Sequence, residues 1–345
     1  MNLFRRILMV GLVLVMAGTV FAGPGNQGGS GGAFDPAKTP VAVAISVMNH
    51  PVHRIVQLGF LKAARELGYT NSKVIGTEGP DQSEVYAAAD AFIAEGGKGL
   101  LLWAGDSTAF ETIRSAASQG VVVGIPHFNL QTNGRNPEGL AFGMACDPPA
   151  YGRQVAEFMA ERLSGRSGSI AITQNTRNVT ENGGSDSFIA TWNSLKSRYN
   201  LNNIRLLPVQ LEGGVVDQAT AVNLAIIQAN RDIIGAFGLT GNSPITWADA
   251  ATKAGRRDGE ILIVGMDATE GNLNYLDQGK VAAIVAQPLY EEAYKTMQYL
   301  DTIFRGGTVP AWTDLDAPVV TKDGSGPNGI AYHRAIAAEV ATFFK

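Results

Sequence analysis

From residue 41 to residue 304, short apolar runs alternate with longer segments whose apolar positions recur every three or four residues. The run at 41–45, Val-Ala-Val-Ala-Ile, is continuous, which predicts a strand covered on both faces. Pro51 then stands at a first helical position, where a missing N–H costs nothing. Ile55, Gly59, Ala63 and Leu67 follow at intervals of four until Gly68 stops the helix. The unit repeats as strand 74–75, helix 83–95, strand 100–102, a helix through Phe110, Ile113 and Ala117, and strand 121–123. After Asp147-Pro148-Pro149 a second series begins with helix 150–163, strand 170–172, a helix containing Phe188 and strand 206–209. It continues with helix 217–229, strand 234–237, helix 244–254, strand 261–264, a helix beginning near Glu270, strand 281–285 and helix 290–304. Two successive βα series of similar size predict an α/β protein of two doubly wound parallel-sheet lobes.

Each apolar run ends in a polar or aromatic tip: Ser46 to Pro51, Trp103 to Asp106, Pro126 to Asn129, Gln174-Asn175, Leu239 to Asn242, Met266-Asp267 and Gln287-Pro288. In an open parallel sheet the carboxyl ends of the strands line the ligand crevice. The tips carry hydroxyl, amide, imidazole, indole and one carboxylate, groups suited to a small polar ligand. Trp192 and Trp247 fall inside helical patterns and are expected in the core.

Composition adds exclusions. The chain has 345 residues, a formal net charge of −4 and 17% charged residues, with no basic face for nucleic acid. A single cysteine, Cys146, rules out an internal disulfide and a multi-cysteine metal cluster. Arg5-Arg6, the apolar run 7–20 and Val20-Phe21-Ala22 read as a secretory signal peptide over 1–22, cleaved after Ala22. A retained anchor is the alternative; the run is short for a membrane span, and no cysteine follows it to take a lipid. The processed protein is expected to be soluble and periplasmic or otherwise extracytoplasmic. A flexible Gly-rich linker is expected over 23–38.

At several of these junctions the chain resembles the type I periplasmic solute-binding proteins, in particular the ribose- and galactose-type sugar-binding group of ABC transporters. The residues that carry the likeness are Val43-Ala44-Ile45-Ser46-Val47-Met48-Asn49-His50-Pro51, Leu67-Gly68-Tyr69, Ile263-Val264-Gly265-Met266-Asp267 and Ala283-Ile284-Val285-Ala286-Gln287. Their order and spacing are more specific than any one of them, and the likeness covers about 40–322. It implies an N-terminal lobe of 39–145 plus 288–312, a C-terminal lobe of 146–287 plus 313–330, and crossovers near 145–147, 287–288 and 311–315. The tail 331–345 lies beyond the family's minimal pattern and is expected to be a helix.

The resemblance also implies that ligand sits between the lobes. By position it points to Asp267 and Gln287 as hydrogen-bonding groups, with Met266 as apolar wall. Ser46, His50 and His53 belong to the first tip, and His53 stands where the family often has an aromatic. His127 replaces a family carboxylate and Phe128 the arginine that often follows it. Asn182 falls where another arginine is common, and Thr240 or Asn242 matches a second-lobe asparagine. Trp103 is a candidate for packing on a sugar ring.

The expected function is that of a binding protein for an ABC importer: it closes on a monosaccharide or similar polyhydroxy ligand and delivers it to the permease. A ligand-sensing protein for an autoinducer-2-like furanose or a nucleoside, reporting to a membrane receptor such as a chemoreceptor, is the alternative. No cofactor, metal or nucleic acid is expected, and the protein is expected to be a monomer. An enzyme is disfavoured because Gly-x-Gly-x-x-Gly, a P-loop and Gly-x-Ser-x-Gly are all missing. A zinc enzyme built on His50, His53 and His127 is the minor alternative. A sugar-type transcriptional repressor would need a DNA-binding head in place of residues 1–40.

Overall fold

The computed structural model describes residues 34–345; the signal-peptide reading and most of the linker reading lie outside the described residues. The first series gives β1 (Val41–Ile45), α1 (Pro51–Glu66), β2 (Ser72–Gly76), α2 (Gln82–Ala94), β3 (Gly99–Leu102), α3 (Phe110–Ser118), β4 (Val122–Pro126) and β5 (Leu140–Cys146). The second gives α4 (Pro148–Leu163), β6 (Gly168–Gln174), α5 (Val179–Leu195), β7 (Ile204–Leu206), β8 (Gln210–Leu211) and α6 (Val216–Ala229). It ends with β9 (Ile233–Gly238), α7 (Ser243–Lys253), β10 (Leu262–Met266), α8 (Glu270–Asp277) and β11 (Ala283–Val285). The chain then forms α9 (Leu289–Phe304), β12 (Trp312–Leu315), β13 (Val319–Val320) and α10 (Ile330–Phe343).

The strands build two sheets, ordered β12-β5-β4-β3-β1-β2 and β13-β11-β10-β9-β6-β7, with β8 also paired to β6. The paired strands run parallel except β13, which is antiparallel to β11. Both sheets have a 2-1-3-4-5 core, so each reverses its winding beside its first strand, at β1/β3 and at β6/β9. The reversal leaves a crevice at the carboxyl ends of those strands, and the two crevices face each other. The buried runs of β1, β3 and β9 are apolar throughout because helices cover both faces, and β6 is buried along its length with Ile170–Ile172 at its apolar centre.

The chain crosses between sheets three times, after β5, between β11 and α9, and between β12 and β13. The third crossing differs from the expected 311–315. Trp312–Leu315 pairs with Gly143–Cys146 in the first sheet, so the passage falls at 316–318. Two other expectations are corrected. The run expected as one strand over 206–209 falls mostly between strands, with β7 ending at Leu206 and β8 beginning at Gln210, because Pro208 has no N–H for the ladder. The linker expectation extended too far: Phe34 stacks on Phe304 at 5.8 Å and lies against Tyr69, and 36–38 is a turn of 3₁₀-helix. The tail forms α10, which packs on α1 of the first lobe and α8 of the second. Trp192 and Trp247 are fully buried in the two core clusters of the second lobe. Among the described residues no helix is long and apolar enough to cross a membrane.

Candidate functional site

Five non-glycine residues among those described have positive φ, and three of them stand at strand tips facing the interlobe crevice. They are Val47 after β1 (φ 45°), His127 after β4 (φ 78°) and Asp267 after β10 (φ 66°). A left-handed conformation is costly for a β-branched or bulky residue, and such strain concentrates where backbone geometry serves a ligand. Backbone bonds hold the turns in place: the His127 N–H donates to Met144 O at 2.7 Å and the Asp267 N–H to Val285 O at 2.8 Å.

The first-lobe wall is a chain of rings. His50 and His53 lie 5.3 Å apart between centroids, and His53 and Trp103 5.1 Å apart. Trp103 stacks on His127 at 4.5 Å with the planes 3° apart, and Phe128 meets both edge-on. The hydrogen bonds fix which nitrogen of each imidazole carries hydrogen. His53 Nδ1 faces the Ser46 and Val47 carbonyls at 2.6 and 3.2 Å, so it must donate. Burial, and then repulsion from His50, pulls His53 down to about 4, so the ring is neutral and Nε2 is left as an acceptor. His50 caps α1 by accepting the Val52 N–H on Nδ1 at 3.3 Å, which leaves Nε2–H as a donor.

Behind this wall lies Glu292 on α9, with none of its side chain exposed. Its Oε2 accepts from His127 Nδ1 at 3.0 Å and its Oε1 from the Cys146 N–H at 3.1 Å. Burial alone would drive the proton off His127, but Glu292, with Asp267 further off, reverses the sign and holds the imidazole above its ordinary value. Burial pushes the Cys146 thiol up, which makes it a poor nucleophile.

The second lobe brings Asp267 to the crevice. It is 4% exposed, and its Oδ1 has no hydrogen-bond partner. Burial, tempered by His127 and aggravated by Glu292, pushes its carboxyl up to about 7. Asn272 fixes the tip by donating to the carbonyls of Gly241, Met266 and Asp267. Gly241 closes the contact between lobes. A Cβ there would fall 2.8 Å from Asp267 Oδ2 and 2.9 Å from Val52 Cγ2 of the first lobe, so no side chain fits. The two lobes therefore stand closed on each other.

The structure thus gathers His50, His53, Trp103, His127 and Asp267 around one crevice. Ser46 contributes through its carbonyl, and Gln287, at the second crossing, donates its amide to Cys146 Sγ at 3.5 Å. Met266, Thr240 and Asn242 are engaged elsewhere. Met266 is part of the second lobe's core rather than a cleft wall. The Thr240 hydroxyl donates to the buried Glu212, which also accepts from Ser243 and Asn223. The exposed side of Asn242 donates to Gly214 O at 3.2 Å. Asn182 lies in the first turn of α5, beside Glu181, whose carboxyl burial pushes up to about 7. The zinc alternative fails on geometry: among the described residues no three His, Cys, Asp or Glu side chains form a ligand set for a metal ion.

Sequence reasoning missed Glu292, Glu212 and Asn272. A signal for Glu292 was present. Leu289, Glu292, Ala293, Thr296, Met297 and Leu300 form one buried stripe of α9, and a carboxylate on such a stripe needs a buried partner.

Comparison with known proteins adds to this geometry. The family model described as a periplasmic binding protein domain matches residues 41–308. The ribose import binding protein of Escherichia coli is 24% identical over 291 residues, covering 83% of this chain and 92% of that protein. A glucose-galactose binding protein from Geobacillus stearothermophilus superposes with a TM-score of 0.72 at 20% identity, over 82% of this chain and 97% of that one. An ABC transporter periplasmic solute-binding protein from Actinobacillus succinogenes, solved with bound D-allose, gives 0.73 at 18% identity, over 86% and 100%.

Proposed function

The chain belongs to the periplasmic binding protein family, and from that premise we propose that it is the extracytoplasmic sugar-binding component of an ABC importer. A monosaccharide or similar small polyhydroxy molecule enters the open cleft, both lobes close on it, and the closed shape is what the permease recognises. Its solved neighbours and curated relatives are solute-binding proteins rather than enzymes. The observation that carries the reading is Asp267, a desolvated carboxylate with one unpartnered oxygen across from a wall of aromatic rings. Sugars present such a site with what it lacks: C–H faces for the rings and hydroxyl donors for the acceptors. Closure is then ligand-driven, because groups from both lobes meet the ligand only when the lobes are together.

A thermal-shift screen against pentoses, hexoses, polyols and nucleosides tests the reading, followed by calorimetry on each hit. We expect one saturable site, with Asp267→Asn weakening it by about 1.5–3 kcal/mol, the scale of a charge-assisted hydrogen bond. A hit whose affinity the substitution leaves unchanged would remove Asp267 from the site, and a panel without hits would defeat the sugar assignment.

A further inference from the structure

We propose that the ligand carries a cationic nitrogen, as a protonated amine or ring nitrogen on a small polyhydroxy frame, and that Asp267 receives it. This rests on the cleft being the ligand site, as above, and narrows the class of ligand.

The charge inventory leads there. Two buried carboxylates, Glu292 and Asp267, share one imidazole. Glu292 is already committed, with one oxygen on His127 Nδ1 and the other on the Cys146 N–H. The charges that act on Asp267 are those of His127 and Glu292; no lysine or arginine is among them. The other titratable groups within its field are Cys146 and Tyr151, both neutral and held so by burial. A ligand without charge leaves the Asp267 carboxylate desolvated, facing an imidazole already bonded to Glu292, and a buried charge without a full partner is costly.

The hydrogen-bonding inventory agrees. Acceptors outnumber donors: Asp267 Oδ1 is unpartnered, His53 Nε2 is an acceptor by its tautomer, and Gln287 has its amide nitrogen on Cys146, leaving its oxygen, against the one donor Nε2–H of His50. An ammonium offers three donors and no acceptor. The ring wall adds aromatic surface that attracts a desolvated cation, less the face of Trp103 that His127 covers. An anionic ligand would meet Asp267 with like charge, and no lysine or arginine acts on that carboxylate to offset it.

The test is calorimetry of the full chain at neutral pH against matched sets: aminohexoses, amino-alditols and imino sugars, each with its hydroxyl parent, its N-acetylated form where one exists, and a uronate. We expect at least one basic member to bind tenfold or more tightly than its neutral parent and its acetylated form. In Asp267→Asn that preference should fall below threefold, while the affinity for the neutral parent changes less. Equal or tighter binding of a neutral or acetylated member would overturn the cationic ligand and leave the sugar cleft standing. Tighter binding of the uronate would overturn it in favour of an anionic ligand. A panel in which nothing binds would overturn both readings.

Discussion

At the scale of single residues, the site is organised by a carboxylate that never reaches the cleft surface. Glu292 holds the His127 imidazole above its ordinary value against the pull of burial, and so tunes the group that Asp267 faces. Glu292→Gln should reverse this. With the opposing charge gone, desolvation dominates, and the His127 pKa should fall below its ordinary 6.5. Titration of the imidazole by NMR in the two proteins checks it; an unmoved His127 would mean that another group holds the proton. His127 and Asp267 were legible in the sequence because strand tips can be located from apolar runs. The inward turn of Thr240 was not, since its rotamer is decided by Glu212, 28 positions away.

At the scale of elements, the legible strands were those whose burial on both faces writes a continuous apolar run. β5 was missed although Leu140–Cys146 is apolar throughout, as β9 is with its Gly235. Its Gly143 records a contact no local window shows: Trp312 of β12 lies over it, 2.3 Å from where a Cβ would be. The terminal helix α10 offers an element-level prediction. On one side Lys62 of α1 pairs with Glu339 at 2.6 Å and Arg65 lies over Phe343 at 5.1 Å. On the other, Arg334 donates to Asn274 at 3.0 Å and approaches Asp277 of α8 at 3.4 Å. A hinge motion that parts α1 from α8 must break one set. Removing residues 330–345 should therefore favour the open form and weaken ligand by about 1–2 kcal/mol, a sum of several partly exposed contacts. Calorimetry on the shortened chain measures this, and unchanged affinity would make α10 a decoration of one lobe.

At the scale of the whole molecule, closure is coupled to protons. In the closed form Asp267 is pushed from an ordinary 3.8 to about 7, and His127 is held above 6.5. The raised Asp267 value means that the closed form binds protons more readily than a solvated, open cleft, whereas His127 keeps Glu292 of its own lobe in either form. Low pH therefore favours closure of the empty protein. The advantage is lost as pH rises from about 4 through about 7, the range between the solvated and buried values of Asp267. For Asp267 alone the swing is on the order of 4 kcal/mol if the open carboxyl is fully solvated. Small-angle scattering of the unliganded protein should show a larger radius of gyration at about pH 8 than at about pH 5, with the difference reduced in Asp267→Asn. A radius that ignores pH in the native chain would show that the hinge does not feel these groups.

The order of strands and helices, the two-lobe plan and the positions of the strand tips were determined by the sequence itself, because alternation of apolar run and amphipathic helix is a local property of the chain. The tertiary structure alone decided the third crossing after β12, the burial of Glu292 beside His127, and the approach of Gly241 to Val52 across the cleft. Those are contacts between segments far apart in the chain. Their energies depend on desolvation and distance, which no periodicity records.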